Sequence, residues 1–574
     1  MCGILIFKSN NINKEVRRNF KNCLNDLKNR GPDETRVIEK KNILMGFTRL
    51  SINDLDTGSQ PFTSTNGDYT ILFNGEIVNY KNLAQQLRDK NIKLRHGHEA
   101  EVIINLYIQY KEKCVNFLKG FFAFTIIENK TNNILAAVDR FSIKPLYYYE
   151  NNKKGLFIIS SDYSPLIKYG VVEKKLNDSK LIDYFSLSRD FDNKSLFDDI
   201  KKIKAANILI RNKNKNKFFT YWKPVNKNKE TIHIDKKFAI EILDSKFKEI
   251  NKQWATAEVK NSLCLSTGLD SQILNKYLTQ GSEKYLRIHL SESKTRSLDH
   301  DDVYQKRLKR SQTISSINLI AKDCYNPFPL AHASTASLIQ LYASLSAKNI
   351  KTTINGEGAD EIFGGYKRYQ RQLKLIKNKR LSQEEAFLSI YSNDVSILGN
   401  VTRNYNTDTI KKLLKKKIKS IKLQSASIEN KILEFDQLTW LPSLLQRHDV
   451  IGMHFGLEVR PPYLDHKLVE IVNRMPASFK IELKNRKVIL KKLFKEKFSK
   501  EINAKKIGTP SGFSTVFSSK KEMKKFKESI FYGLGSNFIN PTKVFKLINF
   551  DKISKYHKIF LWRLYILNKM MNKF

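Results

Sequence analysis

The stretch from Lys237 to Ile354 restricts the fold more than any other part of the sequence. A probable helix over Lys237–Trp254 leads to an apolar strand, Asn261–Leu265, a tight turn and a helix from Ser271. A second strand, Tyr285–Leu290, is followed by a helix through Ser334–Ala347 and a third strand, Thr352–Ile354. Strands alternating with helices predict a parallel α/β sheet, because parallel neighbours are joined by helical crossovers.

Residues 2–210 have a different rhythm. Gly3–Phe7, Asp68–Phe73, Phe122–Glu128, Ile134–Asp139 and Leu156–Ser160 are short, β-branched or aromatic, and bounded by turn residues, which predicts strands. Ala100–Tyr110 sets Val102, Ile103, Leu106 and Tyr107 on one face, and Tyr80–Lys90 does the same with Leu83 and Leu87, so two helices are expected among the strands. A polar, Lys/Asn-rich stretch over 211–236 reads as a linker, which divides the chain into domains at 2–210 and 237–574. From about Leu381 onward the pattern is mainly helical.

Several function classes drop out on composition. Lys plus Arg number 102 and Asp plus Glu 57, and 102 − 57 gives a net charge of +45. That charge is spread through runs such as Arg211–Lys217 and Lys411–Lys417 rather than gathered in one aromatic-interleaved block, so it does not point to nucleic acid. The five cysteines, Cys2, Cys23, Cys114, Cys264 and Cys324, form no C-x-x-C pair, which argues against a disulfide framework or a zinc site and fits a reducing compartment. The apolar run after Met1 soon meets Lys8, and no later stretch reaches the roughly 18 apolar residues of a membrane span. A soluble, cytoplasmic protein is expected.

Cys2 is the first residue with evident chemistry. Removal of Met1 would give its thiol a neighbouring α-amine, a group that ordinarily titrates at about 7.7–8.0, so that nucleophile and base lie in one residue. Arg49-Leu50-Ser51-Ile52-Asn53 offers a guanidinium fork for a carboxylate, and Asn74-Gly75 at a strand end offers an amide and a backbone N–H for an oxyanion. Glu76 and Glu99 supply carboxylates for an ammonium group. These parts would grip an α-amino acid and hydrolyse its side-chain amide.

The motifs MCGI, RGPDE, RLSI…GSQP, FNGEIVNY, EAEVI, G-FFAF and DR…KPLYY occur in that order and resemble the N-terminal-nucleophile glutaminase domain of class II glutamine amidotransferases. The resemblance implies a four-layer αββα domain in which Cys2 attacks the glutamine amide. It implies that Arg49 holds the α-carboxylate, that Asn74 and Gly75 face the oxyanion, and that Glu76 and Glu99 lie by the α-amine. Glu99 stands where the family usually has Asp. Ser142 replaces a strain-tolerant glycine, and Ser161-Asp162-Tyr163-Ser164 replaces Ser-Glu-x-Lys.

Leu265-Ser266-Thr267-Gly268-Leu269-Asp270-Ser271 follows a strand and opens a helix, where backbone N–H groups and the helix dipole favour a phosphate. It resembles the S-G-G-x-D-S pyrophosphate loop of ATP pyrophosphatases, with Thr267 in place of the first glycine. If that position needed a positive φ, a β-branched residue would be costly there. Asn355-Gly356-Glu357-Gly358-Ala359-Asp360-Glu361-Ile362-Phe363-Gly364-Gly365-Tyr366 resembles the S-G-E-G-x-D-E-x-F-G-G-Y signature of asparagine synthetases. Gln446-Arg447-His448-Asp449 and Gly456–Asp465 are similar to that family's K-x-D and S-L-E-x-R-x-P-F-L-D segments, expected at the interface and tunnel side.

The resemblance implies a Rossmann-like ATP pyrophosphatase domain with a helical remainder. Leu265, Ser266, Gly268, Asp270, Ser271, Ile288, Asn355 and Gly356 would bind ATP, and Asp270 with Asp360 would hold Mg²⁺. Glu357 would lie near an adenylated carboxylate, and Lys487 would stabilise pyrophosphate. The implied reaction uses glutamine, ATP and aspartate to give asparagine, and a homodimer is suggested without a readable interface. Another carboxylate acceptor, on a polysaccharide or secondary-metabolite precursor, stays open at this point, as does a catalytically weakened polyanion-binding relative.

Overall fold

The computed structural model describes residues 2–225, 233–280, 285–291, 303–332, 334–378, 380–499, 513–533, 537–548 and 554–572. Its first half stacks two six-stranded antiparallel sheets. One runs in the order Ile200–Lys202, Tyr147–Asn151, Leu156–Ser160, Gly3–Ser9, Ile43–Arg49, Glu34–Lys40. The other runs Lys215–Thr220, Asn207–Asn212, Ile134–Val138, Gly120–Glu128, Tyr69–Ile77, Phe62–Thr63. Ile4, Ile6, Met45 and Phe47 of the first sheet meet Leu72, Ala123, Ile127 and Val138 of the second in one buried cluster. Helices Tyr80–Asp89 and Glu99–Tyr110 cover the outside of the second sheet through Leu83, Leu87, Val102 and Ile103, while Lys14–Asp26 packs on the first. The expected αββα order of layers is the observed one.

Two strands lie where the sequence is least strand-like. All seven residues of Ile43–Arg49 are buried, so no polar alternation marks it. Glu34–Lys40 is charged and mostly exposed, and it exists by pairing along the whole of Ile43–Arg49 at the sheet edge. The stretch read as linker needs the same correction. Lys215–Thr220 within it is a strand hydrogen-bonded to Asn207–Asn212, a lysine-rich edge of the kind that discourages further pairing. Within that stretch, residues 226–232 lie outside the described residues.

The second half is built on a five-stranded parallel sheet in the order Val303–Arg307, Leu286–Ser291, Asn261–Leu265, Thr352–Ile354, Glu458–Arg460. Helix Lys236–Ala255 packs on it through Ile240, Leu243, Phe247 and Trp254. The outer strands at 303–307 and 458–460 were not legible as strands. The C-terminal helix Lys555–Asn572, basic in sequence, buries Trp562 and Tyr565. Trp562 Nε1 donates to the Leu330 carbonyl at 2.9 Å, and the Arg563 carbonyl accepts from Tyr184 Oη at 2.9 Å, so this helix ties the two halves together. Among the described residues no helix is long and apolar enough to cross a membrane.

Candidate active site

Cys2 leads into the buried strand Gly3–Ser9, and its backbone N–H donates to Asn74 Oδ1 at 2.8 Å. Asn74 lies on the facing sheet with no exposed surface. Because Oδ1 is committed to Cys2, its Nδ2 is left buried without a partner. An unpaired buried amide costs about 1–3 kcal/mol, so the group is suited to a ligand oxygen rather than to the fold. Gly75 adopts φ 142°, and a Cβ there would collide with the Phe121 carbonyl, so glycine is required. Burial raises the Cys2 thiol above its ordinary value, so it stays protonated near neutrality and needs a base to attack.

Cys2, Arg49, Leu50, Ile52, Asn53, Gly75, Glu76 and Glu99 line a single pocket, with Glu458 also on its wall. Of the residues expected there, Ser51 and Asn74 are not on its wall, and the Ser51 backbone N–H donates to Asp33 Oδ2 at 2.7 Å. Arg49 donates to the carbonyls of Asp54 at 2.6 Å and Leu55 at 3.2 Å, which wraps the following loop around its guanidinium. His98 caps the helix Glu99–Tyr110, Nδ1 accepting from Glu101 N at 3.1 Å, and so fixes Glu99 at its first turn. Glu99 Oε1 accepts from Ile77 N at 2.5 Å. Burial and then the Glu76 charge push the Glu99 carboxyl well up. Burial pushes Glu76 up to about 7, against the opposing Arg460 guanidinium. A cation placed between these two crowded carboxyls would draw both back toward their charged forms.

The second half contributes directly to this pocket. Arg460 Nη2 donates to Glu76 Oε2 at 3.1 Å and its Nε to Glu458 Oε1 at 2.7 Å, with the arginine fully buried. Arg30, whose Nε is 3.4 Å from the Cys2 carbonyl, makes a bidentate pair with Asp449 at 3.1 Å. Sequence reasoning assigned neither arginine a contact, because the order of motifs does not say which side chains cross between domains.

At the C-terminal end of the parallel sheet, Ser266 Oγ and Ser271 Oγ lie 2.8 Å apart and Gly268 N donates to Ser266 Oγ at 3.2 Å. Thr267 is not among the described residues with positive φ, so the β-branched side chain is tolerated in this loop. Gly356 packs against it, where a Cβ would come within 3.0 Å of Asp270 Cβ. Ile288 sits on the adjacent strand in register with Cys264, and Asn355 N donates to the Arg460 carbonyl at 3.0 Å. Leu265, Ser266, Gly268, Asp270, Ser271, Ile288, Asn355 and Gly356 thus gather at one sheet end, the position at which such sheets bind ligands.

Lys487 extends into this end of the sheet. Its Nζ lies 2.5 and 2.7 Å from the Asp270 oxygens and also pairs with Asp360. The residue takes φ 53° at the start of Val488–Phe498, a strained backbone that aims the side chain at the two aspartates. Gly365 is bare because a Cβ would strike Asp360 Oδ1 and Lys487 Cε. Glu357 Oε2 accepts from His448 Nε2 at 2.6 Å and from Arg447 Nη2 at 3.4 Å. Burial alone would raise the Glu357 carboxyl, but the His448 hydrogen bond and the Arg447 charge outweigh it and hold it at about 2.

Between the two sites lies a cavity walled by Ile143 and Lys144 of the first half and by Asn355, Glu357, His448, Asp449 and Val459 of the second. The Lys144 side chain is buried, and its Nζ has no hydrogen-bond partner. Burial lowers its pKa.

A model of the glutamine amidotransferase domain matches residues 1–222, and a model of the asparagine synthase family matches residues 243–556. The second alone spans more than half of the 574 residues. Asparagine synthetase (glutamine-hydrolyzing) 3 of Bacillus subtilis is 25% identical over 521 residues, covering 86% of this chain and 84% of its own length. Asparagine synthetase (glutamine-hydrolyzing) 1 of the same organism is 26% identical over 530 residues, covering 84% and 82%. Amidase chry2 of Gibberella zeae is 24% identical over 566 residues, covering 84% and 83%.

Proposed function

The chain belongs to the asparagine synthase family, whose members are ATP-dependent ligases fed by glutamine, and on that premise we propose that it amidates aspartate with ammonia released at Cys2. The single observation that carries the reading is the cavity with walls from both halves. Its lining includes both Asp449, the partner of Arg30 behind Cys2, and Glu357, whose carboxyl is held low by His448 and Arg447.

At the first site the Cys2 amine takes the thiol proton, and sulfur attacks the glutamine side-chain carbonyl. Asn74 Nδ2 donates to the oxyanion, Arg49 holds the α-carboxylate, and Glu76 with Glu99 receives the α-ammonium. Collapse to the thioester expels ammonia, and water then releases glutamate.

At the second site the acceptor carboxylate attacks the α-phosphorus of ATP, and pyrophosphate leaves over the Ser266–Ser271 loop with Lys487 beside it. Asp270 and Asp360 both reach the Lys487 ammonium, and among the described residues no group of three or more His, Cys, Asp or Glu side chains could hold a metal unaided. Two carboxylates with phosphate oxygens to complete the set suit Mg²⁺, which would neutralise phosphate charge there. Ammonia then displaces AMP from the adenylate.

A different carboxylate acceptor is the second reading, favoured by the match to an enzyme named as an amidase at nearly the same identity as the synthetases. The deciding experiment follows pyrophosphate release from ATP with glutamine and a panel of carboxylates. Wild type should respond to aspartate, and Cys2→Ala should lose glutamine use but keep ammonia use. Cys2-dependent glutamine hydrolysis with no aspartate response would reject aspartate as acceptor.

A further inference from the structure

We infer that His448 is a positioning residue for Glu357, holding one carboxylate oxygen so that the other takes the proton lost by ammonia as it attacks the acyl adenylate. This rests on the ligase reading above and adds a residue to it.

The tautomer follows from the contacts. His448 Nε2 faces Glu357 Oε2 at 2.6 Å. A bare imidazole nitrogen at that distance would set lone pair against lone pair, so Nε2 carries the proton and donates it. On the other side, Nδ1 lies 2.6 Å from Tyr342 Oη and 3.5 Å from Asn355 Nδ2. The Asn355 amide is oriented by Glu357 N donating to its Oδ1 at 3.2 Å, so Nδ2 points to the ring as a donor. Tyr342 and Asn355 therefore present O–H and N–H groups to Nδ1, which accepts. Tyr342, His448 and Glu357 form one directed chain, whose last two members border the cavity.

Both hydrogen bonds to Glu357, from His448 and Arg447, fall on Oε2. Oε1 is left to act. When ammonia nitrogen bonds to the acyl carbon, the nitrogen becomes positively charged. Its proton passes to Oε1, and the C–O bond to AMP breaks with the electron pair on the phosphate oxygen. The amide, AMP and a protonated Glu357 result, and the proton leaves to water on product release. His448 and Glu357 both border the cavity between the two sites, so the base stands where ammonia enters.

Arg447 and His448 favour the Glu357 anion, while burial and Asp360 oppose it, and Glu361 lies on the same helix turn. Burial lowers the His448 pKa against the attraction of Glu357, so the ring is neutral at neutral pH. Lys144 faces the cavity from the opposite wall. Removing His448 leaves burial and Asp360 to raise the Glu357 carboxyl. The base is then protonated over more of the acid range, and the acidic limb of the rate profile moves to higher pH.

The test uses the full chain with ammonia as donor, comparing wild type, His448→Ala and His448→Gln. Three rates are read: glutamine hydrolysis, the pyrophosphate burst from ATP and aspartate, and amide formation against pH, corrected for the fraction present as NH₃. His448→Ala should keep the first two and lose amide formation by roughly 10- to 100-fold, less than the roughly 10²–10⁴ of a general base itself. Its acidic limb should move up. His448→Gln, which restores an N–H donor at the position of Nε2, should recover most of the rate and the wild-type limb. Amide formation and limb unchanged in His448→Ala overturns the inference, as does a glutamine variant no better than alanine. Loss of the pyrophosphate burst along with amide formation assigns the residue to adenylation instead and overturns it too. A wild type that releases no pyrophosphate with any carboxylate rejects the ligase reading itself, and His448 with it.

Discussion

Replacing Asn74 by alanine removes at once an observed contact and a proposed one. Its Oδ1 accepts from Cys2 N at 2.8 Å, and its Nδ2 is buried without a partner. Loss of one oxyanion donor costs about 2.7–4 kcal/mol of transition-state stabilisation, or roughly 10²–10³ in kcat. The orphaned Cys2 N–H adds an unsatisfied buried group, worth about 1–3 kcal/mol, though part of that falls on the ground state. Glutamine hydrolysis should therefore drop by roughly 10³ with a much smaller change in KM. Asn74→Asp sharpens the test. It keeps an acceptor for Cys2 N but sets a carboxylate oxygen where Nδ2 was, against the developing oxyanion, so it should be no faster than the alanine variant. The assay is glutamate release, with ammonia-dependent amide formation as the control that the rest of the molecule is intact. Glutaminase rates within about tenfold of wild type for Asn74→Ala, or a clearly faster aspartate variant, would refute the reasoning.

Three further outcomes follow from the same geometry. Ser142 takes φ 54° and buries an unpartnered hydroxyl, so Ser142→Gly should raise stability by about 1 kcal/mol in thermal unfolding, and a lower Tm would contradict this. The Arg30–Asp449 pair is buried, with side-chain exposures of 5% and 1%. Arg30→Met should thus cost about 3–5 kcal/mol by denaturant unfolding, and Arg30→Met/Asp449→Leu should recover most of it. Burial holds Glu76 at about 7, and a carboxyl is neutral below its pKa and cannot pair with an ammonium, so KM for glutamine should climb as pH falls through about 7, and a flat KM from pH 8 to 6 would count against Glu76 as the ammonium receptor.

How much of this was legible depended on whether a residue's role is local. The Cys2 pocket was readable because Arg49, Asn53, Asn74, Gly75, Glu76 and Glu99 come from short segments whose backbone turns set their direction, and the parallel sheet was readable from the order of strands and helices. Lys487 was harder, since one lysine among so many gives no signal, and what singles it out in three dimensions is the pairing of its Nζ with both Asp270 and Asp360. His448 sat inside a recognised segment, yet its bond to Glu357 spans 91 positions, and nothing local in the sequence announces it. Glu34–Lys40 and Lys215–Thr220 are strands made by their neighbours rather than by propensity.

The strand Glu458–Arg460 shows why the two halves cannot be understood separately. It is three residues long, and side chains on a strand alternate in direction. Glu458 and Arg460 share one face, where Glu458 borders the Cys2 pocket and Arg460 binds Glu76. Val459, on the other face, borders the cavity that contains Glu357 and His448. The Arg460 carbonyl also receives the Asn355 N–H, fixing the loop that carries Glu357. An ammonium arriving at Glu76 would meet Arg460 already bound to the same carboxylate. One short strand of the parallel sheet thus borders both the Cys2 pocket and the cavity beside Glu357.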